Sequence, residues 1–231
     1  MHLSKDKKNK LFFYFLLFIL LGTQITKNQE SNKNSITDIT QIQVFGLSEV
    51  DNFEISQKFQ SLLFENIFLI NKKKFKEILS QNNLVESFNI KKLYPNIIRI
   101  NIQKTNFLAL TFYRDEIFFI GSNGKLVKAD NNENSQKKLP FVFSNGNYHS
   151  FLKLKKIIDK SEFDYDEIES FYHFPSSRWD IKTKNGLLIR LPEYNVFNSL
   201  QYVNLIKLNN EFKKNKIIDL RIPKKIIFSN E

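Results

Sequence analysis

The stretch SRWDIKTKNGLLIRLPE, residues 177–193, decides the fold of the second half of the chain. Residues 179–183 alternate between apolar and polar side chains, and an apolar run returns over 187–191. Asn185-Gly186 lies between them, and this pair is a strong short-range signal for a β-hairpin turn. The sequence therefore predicts two antiparallel strands joined at this turn.

Residues 106–231 consist mostly of strand-like segments separated by turn signals. Ser122-Asn123-Gly124 predicts a second hairpin turn. Further predicted strands cover 107–120, 217–222 and 225–228, and predicted helices lie around 151–158 and 200–212. We therefore predict a mostly antiparallel β domain with flanking helices over residues 106–231.

The preceding residues, 38–105, predict a smaller domain with the order β-α-α-β-β. Its first strand ends at Phe45-Gly46. In its last strand Ile98, Ile100 and Ile102 alternate with polar residues, which indicates a half-buried strand. A small sheet that carries two helices on one face would bury these isoleucines, and the fold class of the chain is therefore α+β.

Two helix starts are predicted within this smaller domain. Asp51 is followed by Glu54 at the spacing of a capping box, and Asn71 is a second candidate cap. The first helix carries an apolar stripe formed by Ile55, Phe59, Leu62 and Leu63. The second helix is expected to bury Phe75, Ile78 and Leu79.

Residues 11–21 form an unbroken apolar run, and no charge follows until Lys27. As a helix, residues 11–26 would span about 24 Å, against about 30 Å for the hydrocarbon core of a bilayer. Lysines on both sides can extend outward and make up part of the difference. The run also lacks the small-residue pair of a cleavage site. We predict an uncleaved transmembrane helix over 11–26; a cleaved signal peptide and a buried core helix are the alternatives.

The flanking charges set the predicted orientation of this helix. Residues 1–10 carry four lysines and one aspartate, which by the positive-inside rule predicts a cytoplasmic tail. Residues 27–37 are polar and lack periodicity, as expected of a linker. The predicted location is the bacterial inner membrane, single-pass, with residues 38–231 in the periplasm.

The net charge of +11 suggests a nucleic-acid partner, but the kind of basic residue argues against one. The chain has 30 lysines and 5 arginines, whereas arginine is the residue favoured for bidentate contacts to phosphates and bases. The joint excess of Lys, Asn and Phe indicates an AT-rich genome instead. We therefore predict no nucleic-acid binding.

Patterns that would indicate catalysis or metal binding are weak. The absence of cysteine excludes disulfides and thiolate metal sites, and the three histidines are far apart in sequence. The acidic cluster 164–169 is expected to be solvated. Arg178-Trp179 is either an aromatic anchor of the hairpin or part of a contact surface. We predict no catalytic, metal-binding or cofactor-binding residue and no small-molecule substrate.

Several motifs, taken in order along the chain, resemble the FtsQ/DivIB family of bacterial division proteins. The specific ones are residues 177–193, similar to R-W-D-L-x-L-x-N-G-x-x-V-x-L-P-E, and IIDLRIPKKIIF (217–228), similar to V-D-L-R-x-P-x-x-x-x-V. Supporting segments are ITQIQVFG (39–46), VESFNIKKLYPNIIRINI (85–102), GSNGKLV (121–127) and Leu139-Pro140. Lys104, Phe107 and Gly121 depart from the family pattern. R-W-D-L together with L-P-E looks closest to the alphaproteobacterial branch.

The resemblance implies a cytoplasmic tail, one transmembrane helix, a POTRA domain over 38–105 and an FtsQ-type β domain over 106–231. It also implies a non-enzymatic scaffold that links early and late division proteins at the septum. Such a scaffold binds FtsB within an FtsB–FtsL pair, and its POTRA domain serves in recruitment to the septum.

The same resemblance implies that FtsB binds on the last β strand and the nearby surface. The residues expected to contact it are Arg178, Ile222, Lys225, Ile226, Ile227 and Phe228. Pro223, Lys224 and Lys225 partly oppose the pairing of another strand with this predicted sheet edge. Residues 226–228 are apolar and leave the edge open to an incoming strand. Arg178 is expected close by, where it could meet a carboxylate of the partner.

Two alternatives from other functional classes remain at this level. One is a POTRA-bearing accessory protein of envelope assembly, which repeated POTRA units or a β-barrel sequence would favour. The other is an anchored periplasmic enzyme, which would need a histidine within reach of the acidic cluster 164–169.

Overall fold

The computed structural model describes residues 5–22, 35–129, 139–146, 148–208 and 216–230. The chain divides into two compact units, Met1–Ile36 and Thr37–Glu231. Helix α1, Lys5–Gly22, belongs to the first unit, and its apolar side chains from Phe12 to Ile19 are exposed. Among the described residues, no helix has both the length and the apolar character needed to cross a bilayer. Residues 23–26 of the predicted membrane segment lie outside the described residues.

The second unit begins with a three-stranded sheet and two helices. These elements are β1 Gln41–Phe45, α2 Glu49–Gln57, α3 Lys72–Ser80, β2 Val85–Leu93 and β3 Ile97–Lys104. Strand β3 is central, with β1 parallel and β2 antiparallel to it. The predicted order β-α-α-β-β is confirmed, with one additional 3-10 turn, Gln60–Leu62, between the two helices.

Side chains cap both helices, one of them earlier than predicted. The Oγ of Ser48 accepts a hydrogen bond from the Asp51 N–H at 3.2 Å and donates to the Asp51 Oδ2 at 2.5 Å. The expected cap at Asp51 was wrong, because Asp51 occupies the third helical position of a capping box that begins at Ser48. Asn71 caps α3 as predicted, since its Oδ1 accepts from the Lys73 N–H at 2.9 Å.

The predicted apolar positions form the core of this smaller domain. Ile98, Ile100 and Ile102 of β3 are buried in one cluster with side chains from α2 and α3. Phe59, which follows the end of α2, packs on Phe75 of α3 with ring centroids 5.2 Å apart. The apolar stripe predicted for the first helix therefore continues beyond the helix into the 3-10 turn.

The rest of the second unit is a nine-stranded sheet with two helices. Its strands are β4 Phe107–Tyr113, β5 Glu116–Gly121, β6 Leu126–Lys128, β7 Phe141–Phe143, β8 Ile168–His173, β9 Trp179–Thr183, β10 Leu188–Arg190, β11 Ile217–Asp219 and β12 Ile227–Ser229, and its helices are α4 Tyr148–Lys160 and α5 Val196–Leu208. The strand order is β12-β11-β10-β9-β8-β7-β4-β5-β6. The pairs β4–β7, β7–β8 and β10–β11 are parallel and the others antiparallel, so the sheet is mostly antiparallel, as predicted.

The last two strands are shorter than the sequence predicts. The predicted strand 217–222 ends at Asp219, and the predicted strand 225–228 begins only at Ile227. Between them the chain turns, with the Lys225 N–H donating to the Ile222 carbonyl at 3.2 Å. Pro223 cannot donate to a ladder, and Lys224 has a left-handed φ of 61°, so this segment does not continue as a strand.

The strand register aligns the side chains of paired residues in two rows across strands β8 to β12. One row is apolar and the other is largely charged. The apolar row is Phe171, Ile181, Ile189, Ile218 and Phe228. It shares its cluster with buried residues of α4 and α5, so both helices cover this face. The neighbouring row is Tyr172, Asp180, Arg190, Asp219 and Ile227. Because side chains alternate along a strand, this second row lies on the face away from the helices.

A short connection and a shared carboxylate join the two sheets. Only Thr105-Asn106 separates β3 from β4. The Oε2 of Glu86 on β2 accepts hydrogen bonds from the Thr105 Oγ1 at 2.9 Å and from the Ser122 Oγ at 2.7 Å. Glu86 therefore binds the connection and the β5–β6 turn at the same time.

Further hydrogen bonds tie the β5–β6 turn to the smaller domain. The Nδ2 of Asn123 donates to the carbonyl oxygens of Asn83 at 2.9 Å and Val85 at 3.1 Å. Lys125 donates through its Nζ to the Ser80 carbonyl at the end of α3, at 2.6 Å. These backbone acceptors fix how the two sheets meet.

Trp179 is expected to be a major contributor to stability. Its ring is 5% exposed, packs near Phe151 and Phe171, and donates through Nε1 to the Ser150 Oγ at 3.1 Å. We expect Trp179→Ala to lower the free energy of unfolding by about 3–5 kcal/mol, as measured by urea denaturation of a fragment starting at Ser35. Trp179→Phe, the control, keeps an aromatic ring and should lose clearly less. A loss below about 1 kcal/mol for Trp179→Ala would contradict the structural role.

Candidate partner-binding surface

Strand β12 forms one edge of the nine-stranded sheet. It pairs antiparallel with β11, with Ile218 opposite Phe228 and Asp219 opposite Ile227. Within the described part of the chain, no strand lies beyond β12. The last strand is therefore placed where an additional strand could pair with it.

The hydrogen bonds of β11 show which way each backbone group of β12 faces. The Lys216 carbonyl accepts from the Leu188 N–H at 2.7 Å, and the Leu220 N–H donates to the Arg190 carbonyl at 2.9 Å. The Lys216 N–H, directly before the strand, donates to the Ser229 carbonyl of β12 at 3.1 Å. Along β11 the Lys216 carbonyl and the Leu220 N–H face β10, so alternation directs the backbone of Ile217 and Asp219 toward β12.

By the same register, the backbone of Ile227 faces β11, and the backbone of Phe228 faces away from β11. A proline at Ile227 would remove a hydrogen bond to β11 and would leave the backbone groups on the opposite side of β12 unchanged. A substitution that tests the outer side must be made at Phe228.

The side chains of β12 point to opposite faces of the sheet. Ile227 is exposed on the face away from the helices, whereas Phe228 packs against the core beneath α5. Of the predicted contact residues, these two lie on the edge strand itself. The side chain of Phe228 therefore has a structural role in addition to any contact made by its backbone.

A groove of about 820 Å³ runs beside the edge strand. It contains three of the predicted contact residues, Ile222, Lys225 and Ile226. Its other lining residues are Pro192, Glu193, Tyr194, Asn195, Asn198, Ser199, Tyr202, Leu220, Arg221, Pro223 and Lys224. Tyr194 and Tyr202 are both exposed there. Sequence reasoning missed them, although a tyrosine directly after L-P-E and another on the predicted helix 200–212 were possible signals.

Arg178 lies at a different place in the sheet. It precedes β9, which β10 and β11 separate from β12. Three strand spacings amount to about 14 Å, so the expectation that Arg178 lies beside the edge was wrong. Its guanidinium stacks over the Phe174 ring at 4.6 Å, and its Nε lies 3.6 Å from the Asp180 Oδ1.

Three of the five arginines surround two buried aspartates on the face away from the helices. Arg221 contacts both Asp219 carboxylate oxygens, with Nε at 2.8 and 2.9 Å, and Arg190 lies 3.7 Å from the same carboxylate. The Arg221 hydrogen bond lowers the pKa of Asp219. Burial raises the pKa of Asp180, and Arg178 only partly opposes this effect. The Asp180 Oδ1 and the Arg178 Nε are buried without a hydrogen-bond partner.

The candidate catalytic residues do not converge on a site. Asp164 caps a 3-10 turn, Glu167 pairs with Lys207, and Glu169 lies 3.1 Å from the Lys182 Nζ. His173 lies at the opposite end of β8, packed beside Trp179 with ring centroids 4.5 Å apart. Within the described residues, no group of three or more acidic or histidine side chains could hold a metal ion.

Two family models match the chain, in the order that the structure shows. The model of the POTRA domain, FtsQ-type, matches residues 37–104, and that of the cell division protein FtsQ/DivIB C-terminal region matches residues 112–221. The chain belongs to the FtsQ/DivIB family. The resemblance stated from the sequence motifs is confirmed.

The curated relatives of this FtsQ/DivIB chain include two named cell division protein FtsQ. The one from Rickettsia bellii is 25% identical over 76% of this chain and 66% of its own length. The one from Rhizobium radiobacter is 23% identical over 60% of this chain and 66% of its own length. The chain thus spans slightly less than two thirds of these relatives.

Among solved structures, the extracytoplasmic domain of DivIB from Geobacillus stearothermophilus matches with 11% identity and a TM-score of 0.35. The match covers 48% of this chain and 98% of that one. At this TM-score the likeness adds nothing to the two family matches.

One departure from the FtsQ/DivIB pattern has a steric explanation. Gly121 stands where the family's turn has an aspartate. A Cβ at Gly121 would lie 2.7 Å from both the Thr105 Oγ1 and the Asn123 Oδ1. A side chain at this position would therefore require Thr105 and Asn123, which take part in the junction of the two sheets, to move.

The ion pair of Asp219 should make stability depend on pH. Because the folded-state pKa of Asp219 is lowered, its contribution is present above the unfolded-state pKa and is lost as pH falls through the folded-state value. We expect Asp219→Asn to lower the free energy of unfolding at neutral pH by about 1–3 kcal/mol. The gap to the unmodified protein should close as pH falls, as denaturation curves from pH 7 to pH 3 would show. Asp166→Asn, at an exposed carboxylate, is the control, and a gap that stays constant with pH would contradict the assignment.

Proposed function

We propose that this FtsQ/DivIB chain is a non-enzymatic scaffold that links early and late division proteins at the septum. Its proposed partner is FtsB within an FtsB–FtsL pair. The observation that carries the proposal is the edge strand β12 beside an open groove. The FtsQ type of the POTRA match favours a divisome role over an accessory role in envelope assembly.

Strand addition is the binding mode that this edge supports. An incoming strand would pair with the backbone of β12 on the side away from β11 and place alternate side chains in pockets. Ile222 and Ile226 line the groove and provide apolar contact area, and Lys225 provides a charge at its rim. The partner segment is therefore expected to combine an extended strand with at least one apolar anchor.

A partner that contacts both β12 and Arg178 needs a second segment. A strand paired with β12 cannot reach Arg178, because β10 and β11 lie between them. A partner that also contacts Arg178 must cross the face of the sheet away from the helices. That path passes the arginines around Asp180 and Asp219, so carboxylates are the groups expected on the crossing segment.

The remaining parts of the proposal concern membrane attachment and recruitment. Residues 11–26 are proposed to anchor the chain in the bacterial inner membrane, with residues 1–10 in the cytoplasm and residues 38–231 in the periplasm. The unbroken apolar run and its flanking lysines support this orientation. The POTRA domain is proposed to recruit the protein to the septum.

Proline at Phe228 tests strand addition. Phe228→Pro removes the backbone N–H of residue 228, and Phe228→Ala keeps it, while both variants lose the phenyl ring. We expect the proline variant to bind the matching FtsB roughly tenfold or more weakly than the alanine variant. The measurement is capture of FtsB by the fragment that starts at Ser35.

Circular dichroism and melting curves control for folding in the same two variants. Thr37–Glu231 is a compact unit that contains both cores, so the fragment retains every core residue. Equal capture by folded Phe228→Pro and Phe228→Ala proteins would contradict strand addition. Loss of capture by both variants equally would place the contact on the phenyl ring instead.

The proposed topology has an independent test. We expect reporter fusions made after Ser35 to be active only with an enzyme that functions in the periplasm, since the lysines before the apolar run keep the N-terminus inside. A control in which Lys5, Lys7, Lys8 and Lys10 are replaced by Glu should reduce periplasmic activity. Activity of a cytoplasm-specific reporter at the same position in the unmodified chain, or a mature protein that begins near residue 25, would refute the anchor.

A further inference from the structure

One end of the POTRA domain exposes three large apolar side chains together. Phe68 and Tyr94 stack with ring centroids 4.9 Å apart, and Leu69 follows Phe68 directly. Their exposed fractions are 60%, 61% and 83%. We name these three residues the Phe68 patch. Such a patch on a soluble domain usually marks a binding surface.

The backbone beside the patch adds a second observation. Phe64, on the same loop, has a φ of 65° and an exposed ring. This left-handed conformation is unusual for a bulky residue, and its cost is accepted mainly where surrounding structure or function demands it. The loop is held by hydrogen bonds of the Phe64 N–H to the Ile39 carbonyl and the Ile67 N–H to the Thr37 carbonyl, both at 2.9 Å. These bonds hold the backbone of the loop that carries the exposed Phe64 and Phe68 rings.

Basic side chains border the patch. The Lys92 Nζ lies 3.5 Å from the Phe68 carbonyl oxygen. Lys72 and Lys73, at the start of α3, are exposed close by in sequence. The acidic residue of the loop, Glu65, is paired with Lys74 at 2.7 Å. Asp38, which forms a β-bridge with Asn66 of the same loop, adds one carboxylate. The three lysines still leave this border with a net positive charge, which complements an anionic surface.

The chain also joins the POTRA domain at this place. Thr37, the first residue of the second unit, is hydrogen-bonded through its Oγ1 to the Asn66 Nδ2 at 2.9 Å. If residues 11–26 anchor the chain, residues 27–37 reach at most about 40 Å when fully extended. The tether therefore attaches the domain by the end that carries the Phe68 patch.

We propose that the Phe68 patch binds the anionic phospholipid surface of the membrane, with Phe68 and Leu69 inserted at headgroup level and Tyr94 at the interface. Tyrosine is favoured at such interfaces, and lysines add attraction to anionic headgroups. Part of the argument rests on the proposed anchor, but the binding itself does not require residues 1–34. Docking of this kind would hold the POTRA domain against the membrane.

Vesicle flotation with the fragment that starts at Ser35 tests the proposal. We expect the fragment to bind vesicles of phosphatidylglycerol and phosphatidylcholine, and to bind pure phosphatidylcholine vesicles roughly tenfold or more weakly. Raising the salt concentration should weaken the binding. The double variant Phe68→Ser with Leu69→Ser should lose roughly tenfold or more in affinity for the anionic vesicles.

A matched control uses equally exposed residues elsewhere on the unit. Leu205 and Leu208 on α5 are 63% and 80% exposed, and their double serine variant should bind vesicles as the unmodified fragment does. Equal vesicle binding by both double variants would overturn the proposal. The proposal would also be overturned if the fragment did not bind vesicles and instead used the Phe68 patch for self-association or for binding a protein partner. Because the fragment lacks the proposed anchor and contains β12, failure here is distinguishable from failure of the topology or of FtsB capture.

Discussion

The two-residue connection between β3 and β4 is the constraint on which the arrangement of the second unit depends. With so short a connection, the β5–β6 turn must sit directly on the smaller domain, where Glu86 binds Thr105 and Ser122. Neighbouring domains of one chain commonly move against each other. Here hydrogen bonds from Asn123 and Lys125 to the backbone of the smaller domain restrict such motion. These hydrogen bonds thus hold the two domains of the second unit together.

The two faces of the sheet in the β domain differ in their chemistry. The row from Phe171 to Phe228 is apolar and lies under α4 and α5. The neighbouring row carries Asp180, Arg190 and Asp219, with Arg178 and Arg221 beside them. In a chain that otherwise uses lysine, arginine is concentrated where planar, bidentate contacts to carboxylates are made. A face built in this way keeps its own charges nearly balanced and can still accept acidic groups from a partner.

Local sequence patterns were enough to predict those helices, strands and turns that depend on neighbouring residues alone. Asn185-Gly186 predicted the β9–β10 hairpin, and Gly186 has the positive φ, 86°, that such a turn requires. The alternating isoleucines of β3 predicted its buried face, and Asn71 predicted the start of α3. Each of these features depends on residues within one element or one turn. Family motifs then supplied the order of the domains.

Features that depend on the order of strands in space could not be predicted in the same way. Arg178 and Ile227 are far apart because β10 and β11 lie between their strands. The parallel pairing of β10 with β11 requires a crossover through α5, which no local pattern indicates. The same crossover brings Tyr194 and Tyr202 beside Ile226. The groove is thus a product of topology, and the sequence around its two tyrosines did not indicate that they would line one groove.

The shortness of β12 has a consequence for the lifetime of the protein in the cell. This strand pairs with β11 over three residues only, near the end of the described chain. An edge element of this size opens locally at a free energy far below that of global unfolding. A molecule that binds only the closed strand shifts this opening by mass action. Copies whose β12 is not bound in this way would therefore expose unpaired backbone of β11 and β12 more often than bound copies, and proteases that cleave extended, unpaired backbone would remove the unbound copies first.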